Sequence, residues 1–374
     1  MTVQPYPRTW ADIDLGALSH NLGELRSIID DQIKIALVAK ADAYGHGLVP
    51  VSRFASNNGA DWIAVATVQE GIALRDAGLD CRILVLSPML PVEADQGVFY
   101  RLDLMVEEID IATAISTAAT QQGAQALVHL KVDTGLHRFG AQPEDLVTIA
   151  HEVARLPNLD LVGVSQHFID SAQDHTRTEE QIRVFHDVLE KLNRSGIEPE
   201  FVHMANSAGL VKYPASRHNL VRSGILSYGI DPFNITEGRV QPVLRWQARI
   251  SSVRDVPAGA ALGYSSTYVT PRAARIATVA AGYGDGYPRR LSSRGFVTID
   301  GNRAPIVGLV CMDQLLIDVS DLPPVKVGDL ADLIGPDVRA EELARLAETN
   351  SHEIVTRIMS RVARRYIYPG DKPR

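Results

Sequence analysis

Over the first 230 or so positions, apolar residues follow two alternating rhythms. Leu15, Leu18, Leu22, Leu25 and Ile29 recur at steps of three and four, one face of a helix, with Asp14 placed to cap it. Unbroken apolar runs then stand at 35–39, 62–67, 82–87, 102–107, 126–132, 161–168, 201–206 and 219–224, most separated by helical stretches such as 179–196. Runs that are apolar throughout predict parallel strands covered on both faces. Eight such strands, each followed by a helix, point to an α/β fold with an N-terminal (β/α)8 TIM-like barrel over 12–240, since barrels of this kind take ~250 residues. An open doubly wound sheet shares the same periodicity and stays open as the alternative.

After Gln241 the rhythm changes to period two, as in "VLRWQARISSVRDV", and turn-formers become frequent. Asp300-Gly301 between two strand-like runs is a hairpin signal. A mainly β C-terminal domain is expected over 241–374, joined by residues 1–11, because "PRTWADIDL" reads as a strand.

The net charge of −8 and pI near 5.8 offer nothing to a nucleic-acid backbone or an anionic membrane. Two cysteines, Cys81 and Cys311, cannot make a disulfide framework, the start lacks a signal-peptide pattern, and no apolar run would span a bilayer. A cytoplasmic protein is the expectation.

The chemistry begins at "VAKADAYGHG" (38–47), where an apolar strand drives into Lys40 and then into a glycine-rich turn. A lysine ending a barrel strand either snorkels to water or points into the mouth, where such barrels keep their active sites. In the second case burial lowers its pKa and leaves a nucleophilic amine. Ser207 and the Gly224-Ile225 backbone follow the seventh and eighth strands, a region that often binds phosphate in barrels. "CMDQ" (311–314) offers one Cys and one Asp, a poor metal site, and no metal is expected.

The decapeptide resembles the pyridoxal 5'-phosphate (PLP) attachment motif of alanine racemases. The resemblance continues, in the family's order, through "KVDTGLHRFG" (131–140), "HF" (167–168), "HMANSAG" (203–209), "VRSGILSYG" (221–229), "LGYSSTY" (262–268), "AGYGDGYPRR" (281–290) and "GLVCMDQ" (308–314). It implies a PLP-dependent isomerase that interconverts L-alanine and D-alanine and supplies D-alanine for peptidoglycan. It implies Lys40 as cofactor lysine and as the base acting on D-alanine, and Tyr264 as the base acting on L-alanine. Tyr44, Asn206, Ser207, Gly224 and Ile225 would hold the cofactor phosphate region. Arg222 would face the pyridine nitrogen, with His167 between it and the tyrosine. Arg138 and the Met312 backbone would meet substrate. Lys131 matches a lysine often carbamylated in the family, and Asp313 a nearby structural carboxylate. The family's two domains meet across a head-to-tail homodimer, so the active sites would be shared between subunits.

The chain departs from the family pattern in places. Ser360 stands where many members carry a tyrosine in an "S-Y-R-V" block, which leaves a broader alanine/serine racemase as an alternative. Asp170 is shifted relative to the family aspartate, and Leu309 stands where some members have arginine. A barrel-type PLP decarboxylase would leave Tyr264 without a task, and non-catalytic PLP-binding relatives lack the β domain.

Overall fold

The structure, a computed structural model, describes residues 7–371. Residues 1–6 and 372–374, assigned above to the β domain, lie outside the described residues.

Strand β1 (Thr9–Asp14) precedes eight parallel strands: β2 (Lys34–Val38), β3 (Trp62–Val65), β4 (Arg82–Val85), β5 (Leu104–Val106), β6 (Ala126–Lys131), β7 (Leu159–Ser165), β8 (Phe201–His203) and β9 (Leu220–Ser223). They pair as two four-stranded ribbons, β4-β3-β2-β9 and β5-β6-β7-β8. Two seams join the ribbons. At one, Val85 N–H donates to the Asp103 carbonyl and Asp103 N–H to the Ile83 carbonyl, each at 2.9 Å. At the other, Arg222 N–H donates to the Ala205 carbonyl at 2.9 Å, and Val202 N–H to Asn219 Oδ1 at 2.8 Å. The sheet is therefore a closed barrel, and the open-sheet alternative falls.

Most of the strands are shorter than the apolar runs that foretold them, because the ends of the runs do other work. Thr67, last in the run 62–67, accepts the Glu70 N–H at 3.2 Å, and Glu70 reaches back to the Thr67 N–H at 3.4 Å. That reciprocal pair opens the helix Val68–Asp76. Asp14 caps Leu15–Ile28 by accepting the Ala17 N–H at 2.9 Å, and Leu15, Leu18, Leu22 and Leu25 are buried.

The second region contains β10 (Leu244–Val256), β11 (Ala261–Leu262), β12 (Tyr268–Val269), β13 (Ala274–Val279), β14 (Phe296–Ile299), β15 (Asn302–Pro305), β16 (Leu315–Asp318), β17 (Leu330–Ile334) and β18 (Ala363–Ile367). Its main sheet runs β15-β14-β17-β10-β1-β18, so β1 lies between β10 and β18. The β14–β15 hairpin turns on Asp300 (φ 47°) and Gly301 (φ 77°), the positive-φ pair that a two-residue turn of matching twist needs. Two short helices, Ala340–Ala347 and Ser351–Thr356, interrupt the β pattern, and the second packs on the segment that follows Lys40.

One side chain ties the connection between the two regions to the first helix. Asn21, fully buried, donates to the carbonyls of Ser227 (3.1 Å) and Gln241 (2.7 Å) and accepts the Gln241 N–H (2.7 Å). Removing it strands three backbone groups away from water. Asn21→Ala is expected to destabilise the fold by about 2–4 kcal/mol, read as a lower urea midpoint in a denaturation curve. A midpoint within error of the wild type would refute this role.

Candidate active site

The C-terminal ends of the barrel strands open into a cleft of about 600 Å³. Lys40, at the end of β2, lies in its wall. The residues after it take the wrong hand for L-amino acids. Ala41, Asp42, Ala43 and Tyr44 have φ between 53° and 56°, a left-handed helical turn. Each such residue costs roughly 1–2 kcal/mol, so the surroundings must enforce the shape. Glu70 accepts the Ala41 N–H (2.7 Å) and Asp42 accepts the Leu48 N–H (2.7 Å). His46 Nδ1 donates to the Tyr44 carbonyl (2.9 Å), and Arg364 donates twice to the Gly45 carbonyl (3.1 and 3.0 Å). Gly45 is obligatory: its φ is 80°, and a Cβ there would lie 2.2 Å from the Val355 carbonyl oxygen.

Burial, chiefly, and then the nearby Arg138 and Arg222 pull the Lys40 amine below the ordinary lysine range, while Glu70 opposes them. A lysine so placed keeps more of its amine neutral and nucleophilic at neutral pH.

The cleft floor has an anion cradle. Asn206 caps the short helix Ser207–Lys212 by accepting the Gly209 N–H at 2.9 Å, and also accepts the Ser171 hydroxyl at 2.7 Å. Ser207 Oγ accepts the Gly224 N–H at 2.9 Å. Tyr44 closes one side, and a Cβ on Gly224 would stand 2.7 Å from its hydroxyl. The glycine thus keeps a space bordered by hydroxyls and backbone N–H groups.

Arg222 on β9 is buried, and its hydrogen-bond partners among the described residues are neutral. It donates to the Gln166 and His203 carbonyls and to His203 Nδ1, each at 2.8 Å, to the Met204 carbonyl at 3.3 Å and to His167 Nδ1 at 3.4 Å. Burial lowers its pKa to about 10, so it remains a cation at neutral pH. His167 and His203 are pushed well below the ordinary histidine range by burial and by Arg222 and stay neutral.

On another wall, Lys131 and Arg138 flank Phe139, their charges 5.8 and 4.9 Å from its ring centroid. Burial and then Arg222 and Arg138 pull the Lys131 amine well below the usual lysine range, against Asp133 and Glu107.

Lys40, Tyr44, Lys131, Arg138, His167, Asn206, Ser207, Arg222, Gly224 and Ile225 therefore share one cleft. Tyr264 and Met312 do not line it. Tyr264 is 71% exposed and Met312 54% exposed. The Met312 carbonyl accepts the Gly284 N–H at 2.8 Å. Asp313 pairs with Arg361 (2.8 Å) and Arg8 (3.7 Å), and Ser360 is exposed beside Arg361, outside the cleft lining.

Sequence reasoning passed over four residues. His203 contacts Arg222, and His129 contacts His203 inside the barrel. Both were visible as lone histidines in otherwise apolar runs, "FVHMAN" and "ALVHLKV". His352 and Thr356, from the chain's own β region, also line the cleft. No local pattern marks them, because a long-range contact brings them there.

The donors fit PLP. The Ser207–Gly224 cradle suits its phosphate, the depressed Lys40 amine its aldehyde, and Arg222 its ring nitrogen. The chain also matches known proteins along its length. The sequence profile described as "Alanine racemase, N-terminal domain" matches residues 13–232, and "Alanine racemase, C-terminal domain" matches 243–366. A relative from Halothermothrix orenii, named alanine racemase, is 40% identical over 365 residues, covering 96% of each chain. The solved alanine racemase of Clostridium difficile 630 superposes with a TM-score of 0.93 at 33% identity over 98% of each chain. That of Bartonella henselae, described with covalently bound pyridoxal phosphate, gives 0.89 at 26% identity over 97% of this chain and 100% of its own. The chain belongs to the alanine racemase family.

Proposed function

We propose that the protein interconverts L- and D-alanine with PLP as cofactor and two bases on opposite faces of the α-carbon, and supplies D-alanine for peptidoglycan in the cytoplasm. The observation that carries this reading is the convergence of a low-pKa lysine, an anion cradle and a carboxylate-free arginine in one barrel mouth. Residues 15–240 form the cofactor-binding unit, since β1, to Asp14, lies in the sheet of the β region. Residues 241–374, with the start of the chain, form the unit that presents the second base.

PLP bound at Lys40 would acidify the α-hydrogen of a bound amino acid by conjugating it to an electron-withdrawing ring. The chain's own residues do the rest. Tyr44, Asn206, Ser207 and the Gly224-Ile225 backbone hold the phosphate end. Arg138 takes the substrate carboxylate, helped by the Met312 backbone of a second subunit, with Asp313 supporting that loop. Arg222 would donate at the ring nitrogen and, with its own proton retained, would leave that nitrogen largely unprotonated. Lys40 takes or returns the α-proton on one face, as base toward D-alanine. Tyr264 does so on the other, as base toward L-alanine.

Tyr264 is exposed and apart from the cleft of its own chain, so the second base has to come from another copy. A head-to-tail homodimer with shared sites answers that need.

Lys131 is proposed to be carbamylated. Its neutral amine adds to CO₂ and loses a proton, and Arg138 and Arg222 favour the resulting negative charge.

Three outcomes are expected. PLP-loaded protein given L-alanine in D₂O forms D-alanine carrying deuterium at the α-carbon, read by chiral chromatography and mass spectrometry. Release of CO₂ without D-alanine would mean a decarboxylase, and no reaction a binding protein. Lys40→Ala and Tyr264→Phe chains each lose at least about a hundredfold in kcat. Mixed one to one, they recover about one quarter of the wild-type rate, since half the dimers carry one intact site. No recovery despite exchange proven by mass would rule out shared sites. Protein equilibrated with ¹³C-bicarbonate shows a lysine carbamate resonance that Lys131→Ala abolishes. A wild-type spectrum without it would end the carbamylation proposal.

A further inference from the structure

Beneath the cleft, a line of polar side chains descends through the apolar barrel interior. Arg222 donates to His203 Nδ1 at 2.8 Å, and His203 Nε2 meets His129 Nδ1 at 3.0 Å. His129 Nε2 meets Asp103 Oδ2 at 3.2 Å, and Arg82 closes the line on the same carboxylate, with its Nε at 3.1 Å. Asp103, His129 and His203 are buried. The Arg82 guanidinium lies 4.2 Å from the Trp62 ring centroid and 4.8 Å from that of Phe201, and all three residues stand first in their strands. Room for the line is built into the backbone. A Cβ on Gly163 of β7 would lie 2.0 Å from His129 Nδ1.

Chemistry fixes the proton order. An ionised carboxylate only accepts and a guanidinium only donates. Asp103 therefore requires the proton of His129 on Nε2, which leaves His129 Nδ1 bare. His203 must then donate from Nε2, which leaves its Nδ1 bare for Arg222. Each hydrogen bond points downward, from Arg222 to Asp103. The opposite tautomers would set a His203 N–H against an Arg222 N–H.

We propose that Asp103 and His129 are positioning residues for the reaction: through His203 they hold a fixed acceptor beneath Arg222, which keeps its guanidinium in place at the cleft floor. Resting on the racemase reading, this adds a remote control of that same site. Arg222 then also faces His167 as a donor, so neutral His167 carries its proton on Nε2. That proton is available to a phenolate oxygen brought by the partner's Tyr264.

The test is a two-bond ¹H–¹⁵N spectrum of PLP-loaded protein labelled at histidine, with signals assigned by their loss in His129→Gln and His203→Gln. Both rings are expected as Nε2–H tautomers. Asp103→Asn, which keeps the shape but not the charge, should leave the His203 tautomer in place, since Arg222 fixes it, but shift the ring ¹⁵N signals of His129 and His203 as the line loses its charged acceptor. It should lower kcat about tenfold while the KM for alanine stays within about twofold. Val128→Ala, a buried change on β6 outside the line, is the control for lost packing and should leave both tautomers and kcat in place. A wild-type His203 protonated on Nδ1 overturns the proposal, even if Asp103→Asn fails to fold. So does an Asp103→Asn protein with wild-type ring ¹⁵N shifts and kcat, or an equal loss of kcat in Val128→Ala. Failure of the racemase reading itself would appear separately, as wild-type protein that makes no D-alanine.

Discussion

Everything in the barrel mouth answers to one buried guanidinium. Among the described residues Arg222 has no carboxylate partner; its hydrogen bonds there run to three backbone carbonyls and two imidazoles. Removing such a charge from water is costly, and the neutral acceptors only partly replace the lost hydration. Its field spreads to its neighbours. It helps to lower the affinity of Lys40, Lys131, His167 and His203 for protons. Arg138 adds a second permanent cation to the same cleft. The result is a concave surface with two fixed guanidinium charges, a complement to a ligand carrying phosphate and carboxylate.

The second constraint is mechanical. Four consecutive L-residues after Lys40 are held in a left-handed turn that isolated peptide would abandon. The restraints come from both regions of the chain. Glu70 belongs to the barrel, whereas Arg364 and the Val355 carbonyl come from the C-terminal region. The β region therefore shapes the cofactor site of its own chain before any second subunit is considered. Tyr44 benefits directly: the turn sets its ring 5.0 Å from Tyr228, whose hydroxyl donates to the Val38 carbonyl, and beside the space kept by Gly224.

Much of this was legible in the sequence where physics is local. Uniformly apolar runs announced parallel strands, Asp14 announced a helix start, and Asp300-Gly301 announced a hairpin. Lys40 stood out because a charge at the end of a buried strand needs a reason, and Arg222 through the resemblance of the block that holds it. Closure of the barrel was not legible, because it depends on hydrogen bonds at Asp103 and Ala205 between elements whose periodicity suits an open sheet equally well. The left-handed turn was hidden because "KADAY" has no glycine among its reversed residues and no composition that favours that hand. His129 and His203 were hidden in another way. A histidine within an apolar strand is ambiguous until the neighbouring strand shows what it touches, and here Gly163 makes the contact possible.

The two bases of the proposed reaction sit in opposite kinds of structure, and the difference has a physical logic. Lys40 is fixed by a buried strand and a strained turn. Tyr264 rides on an exposed loop whose backbone at Gly263, Ser265 and Ser266 takes positive φ, presenting the ring to solvent. A phenol needs nearby positive charge to work as a base near neutral pH. Its own surface does not bring it to Arg222, and the cleft of its own chain does not contain it. Dimerisation would supply that charge, by setting the phenol against a histidine that Arg222 obliges to donate outward. On this reading the tyrosine becomes a base only on assembly, and the isolated chain, with its lysine in place, holds half of the proton-transfer machinery.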